Sequence, residues 1–276
     1  MEDSSFYFKR GKGDSKPLYT RKPGPRSVIS DEQLLTEIEE LLRNSSWVGE
    51  GYRKLWARLR AKGIRVSQRR VLRVMRKKNL LAKERPMPSD KREHKETIIP
   101  DRPDSMWAID LTSRRTDEGQ AHLSVVVDHY TAELLSVHAI LSPTRYEAIY
   151  ALGKALKETF GYYDKNICSK TELKLRHDHG SQFTSHRFQE ELKFLGIEAS
   201  PAYVKEPETN GCAERLIRTI KEQLLWLKRF SSVTEFNEAL QEFRQKYNSE
   251  WIIQRHGYIS PSEARRRAKE EAREAA

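Results

Sequence analysis

The chain has 276 residues, of which 37% are hydrophobic, and its 51 Lys and Arg against 40 Asp and Glu give a net charge of +11. This length and hydrophobic content suffice for one large domain or two smaller ones with buried cores. Two cysteines are too few for a disulfide-stabilised secreted scaffold or a Cys-rich zinc module. No apolar run is long enough for a membrane span or a signal peptide, so we expect a cytoplasmic protein.

The positive charge is concentrated in one segment. Residues 51–100 carry 17 basic and 4 acidic side chains, a net charge of +13, and the rest of the chain is close to neutral. Such a concentration indicates a surface for a polyanion, with nucleic acid as the first candidate. The alternative is a solvated helix face or a disordered basic linker, which fits less well with the regular apolar pattern of the same segment.

The N-terminal third predicts a flexible basic arm over 1–29 and a helix-turn-helix DNA-binding domain over 30–82. The arm lacks periodicity, whereas the domain contains three amphipathic segments. Ser30 and Ser67 are suitable N-caps, and Gly63 is a natural helix end. The last of the three helices is strongly basic, which is typical of a helix that contacts DNA. The candidate DNA-binding side chains are Arg53, Arg69, Arg70, Arg73, Arg76 and Lys77.

The second half of the chain predicts an α/β domain. Residues 83–104 contain four prolines and many charges, and they indicate an interdomain linker. The catalytic domain is predicted over 105–230 and a C-terminal helical extension over 231–276. Short apolar runs predict strands at 107–112, 121–128, 134–141, 172–177 and 197–203, and helical spacing predicts helices at 145–160, 185–195, 211–229, 233–247 and from 261 onwards. This order favours a mixed sheet flanked by helices.

Three acidic residues occupy unusual positions in this pattern. Asp110 lies inside an apolar strand, where a charge is costly unless it is paired or bound to a cation. Asp178 ends a predicted strand, and Gly180 behind it permits a sharp turn. Glu214 begins the long predicted helix, with 35 residues between it and Asp178. The three are therefore candidates for one shared site.

Gathered carboxylates suit phosphoryl transfer that depends on metal ions. Mg²⁺ is a hard cation that prefers oxygen ligands and keeps several waters. Two such ions about 3.5–4 Å apart can activate an attacking oxygen and stabilise a leaving one. Without the cations, three neighbouring carboxylates repel one another, which predicts raised pKa values.

The long helix predicted over 211–229 presents two faces. Its apolar residues form a predicted core face: Ala213, Leu216, Ile217, Ile220, Leu224 and Leu227. Glu214, Arg218 and Lys221 stand at i, i+4 and i+7 on another stripe, so Glu214 and Lys221 project the same way. A carboxylate for metal and a cation for the adjacent DNA phosphate would then share one helix face.

These motifs resemble those of the DDE transposases and retroviral integrases. The shared pattern is W-x-x-D, D-x-G-S-Q-F, a gap of 35 residues, E, and a lysine seven residues further on. Residues 51–82 and the tail over 247–261 are more similar to the bacterial insertion-sequence transposases encoded by a second, downstream reading frame, the OrfB type. The resemblance covers about 30–265.

The resemblance implies a fold and a reaction. The fold is α/β: an RNase H-like core with a mixed five-stranded sheet and flanking helices, preceded by a small all-α helix-turn-helix domain. The reaction is DDE-type polynucleotidyl transfer, in which Asp110, Asp178 and Glu214 are both the catalytic and the metal-binding residues. The cofactor is a pair of Mg²⁺ ions, with Mn²⁺ able to substitute, and Lys221 and Arg218 contact DNA.

The resemblance also implies partners. They are the double-stranded DNA of transposon terminal repeats and target, further copies of the chain in a homodimer or higher oligomer, and a protein from the upstream frame. The implied location is the bacterial cytoplasm, in association with the nucleoid.

The sequence departs from the family outside the three acids. His179 follows the second Asp where Asn or Arg is common, and residues 251–256 lack the Arg-Pro-His often found there. Both departures bear on substrate fit. The zinc-binding N-terminal domain of retroviral integrases has no counterpart, since both cysteines lie beyond residue 160.

The candidate residues also have plainer interpretations. Glu214 in a first helical turn favours the helix dipole and can pair with Arg218. Asp110 can be a buried, hydrogen-bonded structural acid, and Lys221 a solvated charge. The spacing of the acids and their flanking residues favours the functional interpretation.

Other notable residues are expected to be structural. Asp128 is interpreted as a turn residue at a strand end. His177 and His179 are interpreted as packing or substrate-contacting residues, because hard Mg²⁺ does not seek imidazole. Three large aromatic residues are expected in the core or at an interface: Trp226, Phe230 and Trp251.

Three functions remain open at this point. The first is a transposase or integrase that cleaves transposon ends and transfers the strand to target DNA. The second is a DNA-binding regulator or inactive partner with a retained fold, and the third is an RNase H-type nuclease without joining activity. The complete set of three acids favours an enzyme, and the resemblance favours the transposase.

Overall fold

The computed structural model describes residues 29–82, 100–142, 146–201 and 211–275. Residues 1–28 of the predicted arm over 1–29 and residues 83–99 of the predicted linker over 83–104 lie outside the described residues. Among the described helices, every one is too short or too polar to span a membrane.

The three predicted N-terminal helices are confirmed. They are α1 (Asp31–Arg43), α2 (Tyr52–Ala61) and α3 (Gln68–Lys77). Ser30 and Gln33 form a capping box at the start of α1, and the Ser67 hydroxyl accepts a hydrogen bond at the start of α3. Gly63, with a φ of +83°, follows the end of α2 in a conformation that favours glycine. The helices enclose a small core of Leu34, Ile38, Leu55, Leu59, Val71 and Met75.

The second half of the described chain forms a mixed sheet with helices on both faces. The strands are β1 (Met106–Thr116), β2 (Gly119–Asp128), β3 (Leu134–Ile140), β4 (Lys174–His177) and β5 (Glu198–Pro201). Within the described residues, the sheet has five strands in the order β3-β2-β1-β4-β5. The β1–β2 and β2–β3 pairs are antiparallel, whereas the β1–β4 and β4–β5 pairs are parallel. The predicted fold class is confirmed.

Among the described residues, six α-helices accompany the sheet. They are α4 (Glu147–Phe160), α5 (Ser181–Thr184), α6 (His186–Leu195), α7 (Gly211–Ile220), α8 (Val233–Glu250) and α9 (Pro261–Glu274). Alternation along β1 separates two cores. Trp107 and Ile109 pack with α4 and α6 on one face, and Ala108 packs with α7 and α8 on the other. Residues of α8 share a core with residues of α7, so packing continues across the predicted domain division at residue 230. That division remains a prediction.

Helix α8 covers the open edge of β3 with polar side chains. The Asn237 amide donates to the Ala139 carbonyl (2.7 Å) and accepts from the Ala139 N–H (2.9 Å). Asn248 does the same for Leu134, at 3.0 and 2.9 Å. Between them, Gln241 and Arg244 donate to the carbonyls of Val137 and Leu134. The backbone groups of the edge strand are thus satisfied by a helix rather than by another strand.

The long helix predicted over 211–229 is wrong in its second half. After α7 the chain makes one π-helical turn over Lys221–Leu225, which we call the π-turn, and the Trp226 N–H bonds the Lys221 carbonyl at 2.9 Å. The π-turn holds one extra residue, so the next fully buried side chain after Ile220 is Leu225. Leu227, expected in the core, is 56% exposed.

Smaller differences follow from pairing and packing. Strand β1 continues past the predicted residue 112, because its hairpin with β2 pairs as far as Thr116 and Gly119. Strand β5 is shorter than predicted, and residues 202–210 lie outside the described residues. Phe230 is buried as expected, whereas Trp226 is 63% exposed because the π-turn directs it away from the core.

Candidate active site

The parallel pairing of β1 with β4 sets Asp110 beside Asp178. Paired residues along these strands, such as Ala108 with Arg176, differ by 68 positions. Asp110 and Asp178 differ by the same 68 positions, and Asp178 stands one residue beyond the end of β4. Neighbouring strands lie about 4.8 Å apart. The continued register therefore places the two carboxylates level with each other on adjacent chain segments.

Helix α7 brings Glu214 to the same face of the sheet. Asp110 pairs with Val125 across β1 and β2, and Val125 packs in one core with Ala213 and Leu216 of α7. Alternation along β1 directs Asp110 toward this face, as it does Ala108. Glu214 follows Ala213 directly, so its helix lies over the strand that carries Asp110.

The charges of these neighbouring groups affect the pKa of Asp110. Burial raises the pKa of Asp110 to about 6, and the negative charges of Asp178 and Glu214 raise it further. The Leu111 N–H, which donates to the Asp110 carboxylate at 2.7 Å, and the Lys221 ammonium act in the opposite direction. Burial also raises the pKa of Glu214, while Arg218 lowers it. Burial is thus the main cause of the raised pKa of both acids, and repulsion between carboxylates adds to it at Asp110.

The loop behind Asp178 fixes its carboxylate. The Gly180 N–H donates to Asp178 Oδ1 at 2.8 Å. A Cβ at Gly180 would lie 2.9 Å from that oxygen and 2.3 Å from Gln182 Nε2. Glycine is therefore favoured at this position because a side chain would collide with the Asp178 carboxylate and with Gln182.

Two neighbouring residues have the structural roles expected of them. His177 stacks on Phe183 with ring centroids 5.4 Å apart, and burial lowers the pKa of His177. Asp128 ends β2 and accepts hydrogen bonds from the Thr131 N–H (2.6 Å) and hydroxyl (2.7 Å). Packing for His177 and a turn for Asp128 are thus confirmed.

The chemistry of the donors fits Mg²⁺, but the site is open. Carboxylate oxygens are the ligands that this cation prefers. Across 29–82, 100–142, 146–201 and 211–275, no three His, Cys, Asp or Glu side chains are close enough to hold one metal ion. Asp110, Asp178 and Glu214 therefore approach one another without closing into a ligand set.

The candidate DNA-binding side chains of the helical domain fall into two groups. Arg70 donates to Asp31 (2.8 Å) and to the Ile29 carbonyl (2.6 Å), and its side chain is only 18% exposed. Arg73 shares Asp31 at 2.7 Å but is 65% exposed. Three further basic residues of α3 are exposed: Arg69, Arg76 and Lys77.

Arg53 lies at the junction of the two domains rather than on α3. Its guanidinium donates to the Tyr52 hydroxyl (3.2 Å) and to Gln254 (3.4 Å) of the C-terminal segment. DNA contact by any of the six basic residues remains a prediction.

The fold and the order of its parts define a class of protein. A mixed sheet with five described strands in the order β3-β2-β1-β4-β5 and helices on both faces is the fold of integrase catalytic cores. A helix-turn-helix-like domain precedes it.

Comparisons with known proteins agree with this class. The family model described as Integrase core domain matches residues 100–207, and a second model with the same description matches 195–261. The model described as HTH-like domain matches 30–86. Residues 100–261 are therefore similar to integrase core domains, and a helix-turn-helix-like domain precedes them.

Individual relatives are transposases. Transposase InsD for insertion element IS2A/D/F/H/I/K of Escherichia coli is 27% identical over 253 residues, covering 87% of this chain and 81% of the relative. Transposase InsD for insertion element IS2-9 of strain K12 is also 27% identical over 253 residues, with 87% and 79% coverage. The resemblance to second-frame transposases is confirmed.

A solved structure shares the fold. A chain of the simian T-cell lymphotropic virus intasome, determined in complex with PP2A regulatory subunit B56 gamma, has a TM-score of 0.50 and 20% identity. The similarity covers 76% of this chain and 70% of that chain.

Proposed function

We propose that this chain is a DNA transposase that cleaves the ends of a mobile element and transfers the strand to target DNA. The observation that supports the proposal is that Asp110 on β1 and Asp178 just beyond β4 stand at matching positions of two paired strands, on the face of the sheet that α7 covers. The transposase relatives and the integrase core matches support the same function. The proposed location is the bacterial cytoplasm.

The proposed cofactor is a pair of Mg²⁺ ions, for which Mn²⁺ can substitute. When bound, they would supply activation of the attacking oxygen and charge stabilisation of the leaving oxygen. Asp110 and Asp178 would hold cations from the adjacent segments, and Glu214 would complete the ligand set from α7. Binding requires the three carboxylates to close further than the described residues have them.

The remaining proposed roles belong to basic residues. Lys221 and Arg218, on the same stripe as Glu214, would hold the phosphates that flank the scissile bond. The exposed basic side chains of α3 would bind the element ends. Joining two ends requires at least two copies of the chain, and the upstream frame would supply a further partner.

Incubation of the full chain with end DNA, a target plasmid and Mg²⁺ or Mn²⁺ tests the proposal. Joined products are expected. Nicked products without joining would favour the nuclease, and a shifted band without cleavage would favour the regulator. Asp178→Asn should abolish both steps yet keep DNA binding, whereas the exposed Asp101→Asn should leave both intact; activity of the first variant above a few per cent would refute the metal-binding role.

A further inference from the structure

The helical domain is docked on the catalytic domain through an aromatic anchor. Trp47, between α1 and α2, is only 6% exposed. Its ring packs edge-on against Trp251 and Phe243, with centroids 5.0 and 5.8 Å away. The Lys54 ammonium lies 2.9 Å from the centroid of the Trp251 ring. A large aromatic buried in the core of the other domain is typical of a specific interface.

A second contact reaches the π-turn itself. The Gln223 side chain accepts from the Val48 N–H at 2.8 Å and donates to the Val48 carbonyl at 2.9 Å. Both ends of one amide side chain are therefore used on one backbone unit of the helical domain. The Val48 side chain takes no part and is 59% exposed.

The π-turn also carries Lys221 at its first position. Seven residues, nearly two helical turns, separate Lys221 from Glu214, so both project the same way from a helix that packs on the face of the sheet toward which Asp110 is directed. Gln223 follows Lys221 by two residues inside the same five-residue turn. A π-turn is an uncommon backbone state that occurs frequently at functional sites and needs support from its surroundings. Here the support comes from the helical domain, through the two bonds between Gln223 and Val48.

We propose that Gln223 is a positioning residue: its paired bonds to Val48 hold the π-turn, and so set Lys221 against the phosphate beside the catalytic acids. The inference rests on the proposed function. It adds that the helical domain, besides binding DNA, fixes a side chain of the catalytic site within the same chain.

The bond itself is tested without any activity measurement. In the full chain, Gln223→Ala should raise the amide exchange rate of Val48 at least tenfold and that of the Trp226 N–H severalfold, as measured by NMR. Val48→Ala, which keeps the backbone, and the exposed Gln245→Ala on α8 should leave both rates unchanged. Unchanged exchange in Gln223→Ala would overturn the proposal whether or not the protein is a transposase.

The positioning role is tested on end cleavage. Gln223→Ala should lower kcat about tenfold with the KM for end DNA unchanged, and it should add nothing to the loss caused by Lys221→Ala. Gln223→Glu, which keeps the acceptor for the Val48 N–H, should recover part of the rate. If the double variant lost the product of the two single losses in kcat, the positioning role would be overturned. Independent losses would mean that Gln223 does not act through Lys221.

The outcomes are separable from those of the proposed function. If the wild-type chain does not cleave DNA, the proposed function fails and the positioning role fails with it, whereas the Val48 exchange result still decides whether the bond exists. If Gln223→Ala does not fold, the same measurements are made on Gln223→Met, which keeps the length of the side chain and loses both hydrogen bonds to Val48. No change in Val48 exchange or no loss of kcat in that variant overturns the proposal.

Discussion

Replacing Asp110 by Asn should inactivate the protein and stabilise it. The Asp110 carboxylate is buried near two other acids, and its pKa is raised from 3.8 to about 6. The folded chain therefore binds this proton more tightly than the unfolded chain does, so stability is lost as the pH rises from about 4 through 6. Asn has the same size, keeps an acceptor for the Leu111 N–H and carries no charge.

The size of the effect follows from the shift. Two pKa units correspond to about 3 kcal/mol. Because the Asp110 side chain is partly exposed, water screens the charge, and we expect about 1–2 kcal/mol. Without metal at pH 8, Asp110→Asn should be more stable than the wild type by this amount, and near pH 3, below the pKa of the unfolded carboxyl, the two should be equal.

Urea denaturation in EDTA at several pH values measures the difference. Asp101→Asn, at an exposed position, should change stability by less than about 0.5 kcal/mol. Added Mg²⁺ should stabilise the wild type more than Asp110→Asn, because binding to the folded state alone raises stability. If Asp110→Asn had no advantage at pH 8, or the same advantage at both pH values, our reasoning about its environment would be wrong.

Three further predictions concern the rest of the chain. Arg69→Ala should flatten the salt dependence of DNA binding by about one unit of slope, because it removes one exposed phosphate contact. Arg70→Ala should leave that slope nearly unchanged and lower the stability of the fold by about 1 kcal/mol, because Arg70 is bonded to Asp31 and to the Ile29 carbonyl. Equal slopes in both variants would contradict this division. Asn237→Ala should lower the free energy of unfolding by about 2 kcal/mol, because it removes two hydrogen bonds to the buried Ala139 and gains only about 0.6 kcal/mol in helix propensity. Urea denaturation measures the change, and a loss no larger than that of Gln245→Ala would show that the contacts with the edge strand do not stabilise the fold. Burial and nearby arginines lower the pKa of His129 from 6.5 to about 4, so the stability of the folded chain should fall as the pH drops below about 6.5. His129→Asn should remove about 2 kcal/mol of the unfolding free energy that the wild type loses between pH 7 and pH 5. An unchanged pH profile would count against a buried neutral histidine.

Local signals in the sequence predict much of the fold. Ser30, Ser67 and Gly63 mark helix ends because a cap depends on a few neighbouring residues. The short apolar runs locate the strands for a similar reason. The three candidate acids follow from their positions in these elements and from their spacing.

Other features depend on contacts far apart in the chain. The pattern of apolar residues predicts that Leu227 is buried, because an uninterrupted α-helix would bring it round to the core. The π-turn shifts that phase by one residue, and the Gln223–Val48 contact spans 175 positions. The side chains of α8 that bond β3 give no local signal, since Asn and Gln on a helix usually indicate only a solvated face. The π-turn also leaves Trp226 exposed, which the sequence pattern does not indicate.

The polar covering of β3 limits how copies of this chain can assemble. An uncovered edge strand is a template on which a second molecule can add its own strand. Helix α8 already occupies the backbone groups of β3 through Asn237 and Asn248. A continuous sheet running from one copy to the next is therefore closed off on this side, and copies brought together there must meet through their helices or through the DNA of the proposed function.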